Sequence, residues 1–338
     1  MVKDIVKELC ALNGVSGNEG AVRDHIAARV RPYAETVETD AMGNLLVFVK
    51  GARAPKQKIM LAAHMDEVGV IVTGVTEEGY LKFDFAGGVD RRVVIGKRVS
   101  VGDKAIPGVI ALKAVHLLED GEGKKVPAVK SMHIDIGCRT REEAEQLVSL
   151  GDTGAFDGHI VEFGSGFLRS KAIDDRVGCA VMIGLIEEGL PVDCHFAFTV
   201  QEEVGCRGAA AAAFRIRPEI ALVLEGTTAA DLPSQQGNEK VCAPGKGPVL
   251  PFMDGSSIYD RGLWKELTAL AEAKGIPWQT KTWISGGTDA SSIQKTAAGA
   301  RVAAISAAVR YIHSPSCVGY TEDFENMLRL AGAYLETL

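Results

Sequence analysis

Apolar residues between Val2 and Leu12 recur at helical spacing, and Ser16-Gly17-Asn18-Glu19 has the form of a capping box opening a second helix that runs to about Val30. Two short apolar runs follow, over residues 44–49 and 58–63. The second is almost wholly apolar, which predicts a central strand covered on both faces. From about Gly69 to Glu162 the texture changes. Short β-type runs (70–72, 80–83, 93–95, 98–101, 106–110) alternate with glycines and charged turns, broken by one helical stretch over 141–150, and predict a small barrel-like unit. After Lys171 a longer rhythm returns, with helices predicted over 175–188, 207–214, 259–274, 288–295 and 322–336 and strands over 195–200, 219–224, 277–283 and 301–306. The chain therefore reads as an α/β fold in which a mixed central sheet is sandwiched by helices. Residues 1–68 and 165–338 form this discontinuous α/β unit, and residues 69–164 form a β-rich insertion.

Composition narrows the function without fixing it. Hydrophobic residues at 46% and charged residues at 24% belong to a folded chain with a sizeable core. A formal charge of -7, with no basic stripe interleaved with aromatics, points away from nucleic acid and toward a small molecule or a peptide. Seven scattered cysteines without a CxxC pair suit neither a disulfide framework nor a zinc finger. A charged amino terminus and the lack of any run near the ~20 apolar residues of a membrane span lead to a cytoplasmic expectation with no membrane partner.

Polar residues that interrupt the ends of apolar runs carry the chemistry. His64 and Asp66 follow the run 59–63 and share one face at strand spacing, which suits an imidazole and the carboxylate that orients it, although a structural His on a turn Asp explains the pair equally well. Asp174-Asp175 precede a helix, where one carboxylate caps and the other is free to bridge cations. Glu202-Glu203 and Glu225 lie where apolar runs end, the place at which open α/β sheets bind ligands. His313 emerges from an apolar segment ahead of the last helix. Together His64, Asp174, Glu203, Glu225 and His313 make a dinuclear ligand set, one His and one carboxylate per ion plus a bridge. Two divalent cations fit it, zinc best by its N/O donors and cobalt or manganese as well.

At these residues the chain resembles the M42 metalloaminopeptidase family, which includes glutamyl aminopeptidases and the tetrahedral aminopeptidases. The matching segments are HMDEVG (64–69), KAIDDR (171–176), QEEVGCRGA (201–209), VLEGTTAAD (223–231), GGTDA (286–290) and RYIHSPS (310–316). The resemblance implies that His64 and Glu225 hold one metal, that Glu203 and His313 hold the other, and that Asp174 bridges them. It further implies Glu202 as general base, Asp66 as the orienter of His64, residues 69–164 as a dimerisation domain, and a homo-oligomer of the hollow dodecameric kind built from dimers. Cys206 stands where a larger aliphatic residue is expected, and Cys317 where an acidic or other residue is expected. Asp289 in GGTDA either shapes the substrate pocket or caps the next helix.

The expected reaction is release of amino-terminal residues from peptides, with metal-activated water and Glu202 as the proton acceptor. A metal-dependent deacylase or amidase acting on small acylated substrates would use the same water chemistry. A peptide-binding scaffold without activity would be expected to have lost a ligand or the base, and all of them are retained here.

Overall fold

The structure, a computed structural model, describes residues 1–119 and 121–338. At its centre is a six-stranded sheet in the order Thr36–Thr39, Leu45–Val49, Cys194–Thr199, Ile59–His64, Ile220–Thr228, Arg301–Val309. The first two pairings are antiparallel and the remaining three parallel, so the sheet is mixed. Alternation along Ile59–His64 shows why that run is continuously apolar. Ile59, Leu61 and Ala63 join the core under the helices Val2–Cys10, Ile173–Glu188 and Thr321–Glu336, while Met60 and Ala62 join a second core under the helix Arg207–Ile216. A strand covered on both faces has no polar side to show.

The chain leaves this sheet after His64 and builds a closed six-stranded barrel from strands lying between Gly69 and Phe156. Its interior is filled by branched and aromatic side chains such as Val70, Leu81, Val99 and Ile134. A further three-stranded sheet pairs Phe167–Ser170 with Val161–Phe163 and with Cys317–Tyr320. Because four parallel strands run side by side, with Thr199 in register with His64 and Glu225 with Ser306, whatever follows them gathers at one edge.

Several local expectations change. Residues 93–95 form a turn and not a strand, the helix expected over 141–150 is confined to Arg141–Glu145, and the strand expected over 277–283 is reduced to one bridge between Val249 and Gln279. The residues Ser16 to Glu19 do not make a capping box. The helix Gly20–Val30 has no side-chain cap, because the Ser16 hydroxyl donates to Asp66 Oδ2 (2.6 Å) while Glu19 Oε1 accepts from the N–H groups of Gly17 (2.7 Å) and Gln201 (3.2 Å). Glu19 is thereby spent on the loop that carries Glu202, and Ser16 on Asp66, which itself accepts the Glu202 and Glu203 N–H groups.

Candidate metal centre

His64 ends its strand, buried to 2% exposure, with its ring turned toward the sheet edge. Its Nδ1 lies 3.1 Å from the backbone oxygen of Asp66, and Nε2 lies 3.3 Å from Glu225 Oε1 and 3.4 Å from Asp174 Oδ1. His313 repeats the arrangement. Its Nδ1 meets the Gly88 backbone oxygen at 3.0 Å, and Nε2 faces Glu203 Oε2 at 3.2 Å and Asp174 Oδ2 at 3.4 Å. A carbonyl oxygen only accepts, so each imidazole keeps its proton on Nδ1. Nε2 of each ring is thereby left facing the carboxylates, where it holds a proton in the absence of a cation and offers its lone pair once that proton is displaced.

Asp174 stands between the rings and turns one oxygen to each. It sits at the kinked start of the helix Ile173–Glu188, where the Asp174–Asp175 peptide is cis and neither residue has helical dihedrals. Its neighbour is occupied otherwise: Asp175 accepts the backbone N–H of His64 (3.1 Å) and of Gly178 (3.0 Å), capping the helix and holding the strand end. Close approach of Asp174 to the strand bearing Glu225 depends on Gly226, where an added Cβ would come within 2.8 Å of the Asp174 Cβ.

The adjacent glutamates do not lie on an extended backbone. Gln201 has φ of 56°, and the N–H groups of Gly205 and Cys206 both return to the Glu202 carbonyl, so the pair sits on a turn that sends the two side chains apart. Glu203 goes to His313. Glu202 approaches His64 Nε2 at 3.9 Å with Oε2, while Oε1 accepts from the Cys206 thiol at 3.2 Å. Asp66 fixes the turn: its Oδ1 accepts the Glu202 N–H at 3.0 Å and its Oδ2 accepts the Glu203 N–H at 3.1 Å. Cys317, in contrast, is buried and donates to the Ser314 carbonyl. Among the described residues, five of the eight non-glycine positions with positive φ (Ala172, Gln201, Cys206, Tyr311 and His313) lie in or beside these segments, in a conformation that costs roughly 1–3 kcal/mol apiece and collects at functional sites.

All five predicted ligand positions therefore meet within one cluster, joined by Glu202 and by Asp175. Its electrostatics call for cations. Burial pushes Glu203 up to about 8 and raises Glu202, and it also drives Glu225 well above the ordinary carboxylate range. His313 is raised to about 9 because Asp174 and Glu203 overcome the opposing effect of burial, and His64 is raised by Glu225, Asp174 and Asp66 against the same opposition. Asp174 Oδ1 is buried without a hydrogen-bond donor. Two imidazole Nε2 atoms turned toward buried carboxylates, one of whose oxygens has no hydrogen-bond donor, make a donor set that suits a divalent metal.

Beneath the cluster runs a buried network that sequence reasoning missed. Glu67 accepts from Lys171 Nζ (2.6 and 2.8 Å), from the Arg176 guanidinium (3.3 Å) and from the Gly14 N–H (2.9 Å). The three charged residues, Glu67, Lys171 and Arg176, lie inside HMDEVG and KAIDDR, and their charged types in otherwise apolar surroundings were the available signal. Asp289 also differs from the helix-cap reading: its side chain makes no cap and instead accepts the Thr199 hydroxyl at 2.5 Å, close behind Glu202 and Cys206. A cavity of about 120 Å³ opens beside the cluster, with Glu202, Glu225 and His313 at one end and Thr228, Tyr259 and Lys281 on its walls.

A mixed sheet with an inserted barrel, and a carboxylate–histidine cluster at the ends of its parallel strands, define a chain of the metallopeptidase class in architecture. Residues 43–330 match the M42 glutamyl aminopeptidase family, and the chain belongs to that family. A protein of Acetivibrio thermocellus provisionally assigned as an aminopeptidase is 40% identical over 329 residues, covering 97% of this chain and 96% of its own. The lysyl aminopeptidase of Pyrococcus furiosus is 31% identical over 349 residues, covering 99% and 97%. Among solved structures, the Pyrococcus horikoshii TET1 peptidase, which assembles into a tetrahedron or a large octahedral shell, superposes with a TM-score of 0.87 at 32% identity over 100% of both chains. Among the described residues no helix is long and apolar enough to cross a membrane.

Proposed function

We propose that this M42 peptidase is an aminopeptidase dependent on two divalent metals, zinc being the best match to the donors, and that it releases amino-terminal residues from peptides. The observation that carries the reading is the pair of imidazoles whose Nδ1 atoms are tied to backbone carbonyls and whose Nε2 atoms converge on the two oxygens of Asp174. His64 and Glu225 would hold one ion, Glu203 and His313 the other, with Asp174 between them. When bound, the ions acidify a water and polarise the scissile carbonyl.

The remaining work falls to the chain's own groups. Glu202 is the general base: Cys206 holds its Oε1, its Oε2 faces the centre, and burial raises its pKa toward the working range of an acid–base catalyst. It accepts the proton of the attacking water at Oε2 and returns it to the departing amine. Asp66 positions both ends of this machinery, since it faces the His64 ring at 3.3 Å and accepts the two N–H groups that aim Glu202 and Glu203.

The barrel within residues 69–164 is read as a dimerisation domain, and the whole as a homo-oligomer of dimers comparable to the shells of the TET1 relative. In support, Val115, Leu117 and Val126 on this unit are 81%, 59% and 46% exposed. Seven free thiols suit the cytoplasm. The test is chromogenic aminoacyl amides assayed after chelation and after return of zinc, cobalt or manganese. Free-amine substrates should be cleaved only with metal, at two ions per subunit by elemental analysis. Preferential cleavage of N-acyl substrates would replace the reading with a deacylase, and light scattering that finds a monomer would remove the oligomer.

A further inference from the structure

Behind Glu202 lie two groups that the two-metal reading leaves unexplained. One ligand atom each from Glu202, Cys206 and Asp289 lie within 4.8 Å of one another. The Cys206 thiol donates to Glu202 Oε1 at 3.2 Å from a backbone with φ of 52°, at the head of the helix Arg207–Ile216. A cysteine that serves only as a small apolar filler turns its sulfur into the core, whereas this one is half-buried and turned to a carboxylate. Asp289 is 1% exposed. Its Oδ2 accepts the Thr199 hydroxyl, while its Oδ1 is buried with no hydrogen-bond donor among the described residues. Buried polar atoms are ordinarily partnered, so a bare carboxylate oxygen beside a thiol and a second carboxylate is the mark of a cation site.

We propose that Glu202, Cys206 and Asp289 form a third metal site, which takes a thiophilic divalent cation such as zinc or cadmium and silences the enzyme by ligating its general base. The silencing rests on the role proposed for Glu202 above, and the site itself does not. On binding, the ion displaces the thiol proton to solvent and takes its place between Sγ and Oε1. Bonds of about 2.3 Å to sulfur and about 2.0–2.2 Å to oxygen at a tetrahedral angle put the two donors about 3.5 Å apart. The observed 3.2 Å needs only a small opening to accept an ion. Asp289 supplies the third donor from its uncommitted oxygen, and the cavity lined by Glu202 and Thr288 is the way in. A thiolate in the set selects zinc or cadmium over magnesium or manganese. The site has no imidazole, and Glu202 also faces His64 Nε2 at 3.9 Å, where the catalytic ions would repel a third. It therefore fills only when zinc is in excess.

The test adds cadmium to the protein already loaded with two zinc ions and follows the ultraviolet charge-transfer band of a cadmium thiolate. The two catalytic sites offer only nitrogen and oxygen donors, so exchange of cadmium into them adds no such band. The wild type should gain the band of one thiolate-bound cadmium per subunit. Cys206→Ser should lack it, and Asp289→Asn should need roughly 10- to 100-fold more cadmium to reach it. On aminoacyl p-nitroanilides, zinc beyond two equivalents should inhibit the wild type, and manganese at the same concentration should not. Each variant is compared with its own rate before the excess is added. The zinc concentration for half-inhibition should rise at least about 10-fold in both variants. No band, or a band of equal size in Cys206→Ser, overturns the site. Equal half-inhibition in the wild type and Cys206→Ser overturns the silencing, by placing the inhibitory ion elsewhere. A protein inert on every amide that still shows the Cys206-dependent band keeps the third site and loses the peptidase reading.

Discussion

Lys171 Nζ donates to both carboxylate oxygens of Glu67, at 2.6 and 2.8 Å, and neither residue is more than 5% exposed. The pair joins the strand end carrying His64 and Asp66 to the helix start carrying Asp174. Arg176, fully buried, completes it by reaching Glu67 and the Met65 carbonyl. Two segments that carry proposed metal ligands, approaching from different elements, are thus locked together from below.

Lys171→Met keeps most of the side-chain volume and removes the ammonium, leaving Glu67 with a distant guanidinium contact and one backbone donor. Breaking a buried pair from one side costs about 3–5 kcal/mol. Urea unfolding of the metal-free variant should show a loss of that size, because the damage is to the scaffold and does not depend on a bound ion. A change below about 1 kcal/mol would mean that Arg176 alone satisfies Glu67.

Glu202→Gln preserves shape and, by the proposed roles, leaves the ligands of both ions in place. Elemental analysis should return the wild-type two ions per subunit, while kcat falls by roughly 10²- to 10⁴-fold, the usual contribution of a positioned general base. Turnover near that of the wild type would remove Glu202 from the role.

Asp66→Asn probes a residue whose oxygens both act only as acceptors. Oδ1 takes the Glu202 N–H, and Oδ2 takes the Glu203 N–H and the Ser16 hydroxyl. Either orientation of an amide sets its NH₂ against a backbone N–H. The turn should loosen and metal affinity should drop about 10- to 100-fold, as for other residues that orient metal ligands. Competition with a chromogenic chelator measures it.

How far the site could be read from the chain depends on whether a residue breaks a pattern or completes a distant contact. His64, Glu225 and His313 each interrupt an apolar run, so their types stand out against the strands that deliver them. The α/β rhythm was legible for the same reason, since buried parallel strands are long and continuously apolar. Contacts across the fold were not legible. Glu67 meets Lys171 across 104 positions, and the Gly88 carbonyl that fixes the His313 tautomer lies 225 positions away. Ser16 and Glu19 have the spacing of a capping box, yet Ser16 is drawn off to Asp66 and Glu19 to the Gln201 N–H, a competition that local sequence does not record. Residues 277–283 fail as a strand for a related reason: only Gln279 finds a ladder partner.

Removing the metals should expose a pH dependence of opposite sign to that of the loaded protein. In the metal-free fold Glu203 is raised from its ordinary value of 4.5 to about 8, chiefly by burial, and His313 from 6.5 to about 9. Both groups bind more protons folded than unfolded through these intervals. Their contributions are complete at low pH and are lost as pH rises, through about 8 for Glu203 and about 9 for His313. Asp174, lowered by both imidazoles, titrates far below this window and does not offset the trend. The chelated protein should therefore melt at progressively lower temperature from pH 5 to pH 9. Metal binding displaces the same protons, so affinity for the ions rises with pH. Thermal melts with saturating zinc and with chelator should accordingly diverge as pH increases. Parallel curves would show that the cluster does not exchange protons for cations, and would count against His313 and Glu203 as ligands.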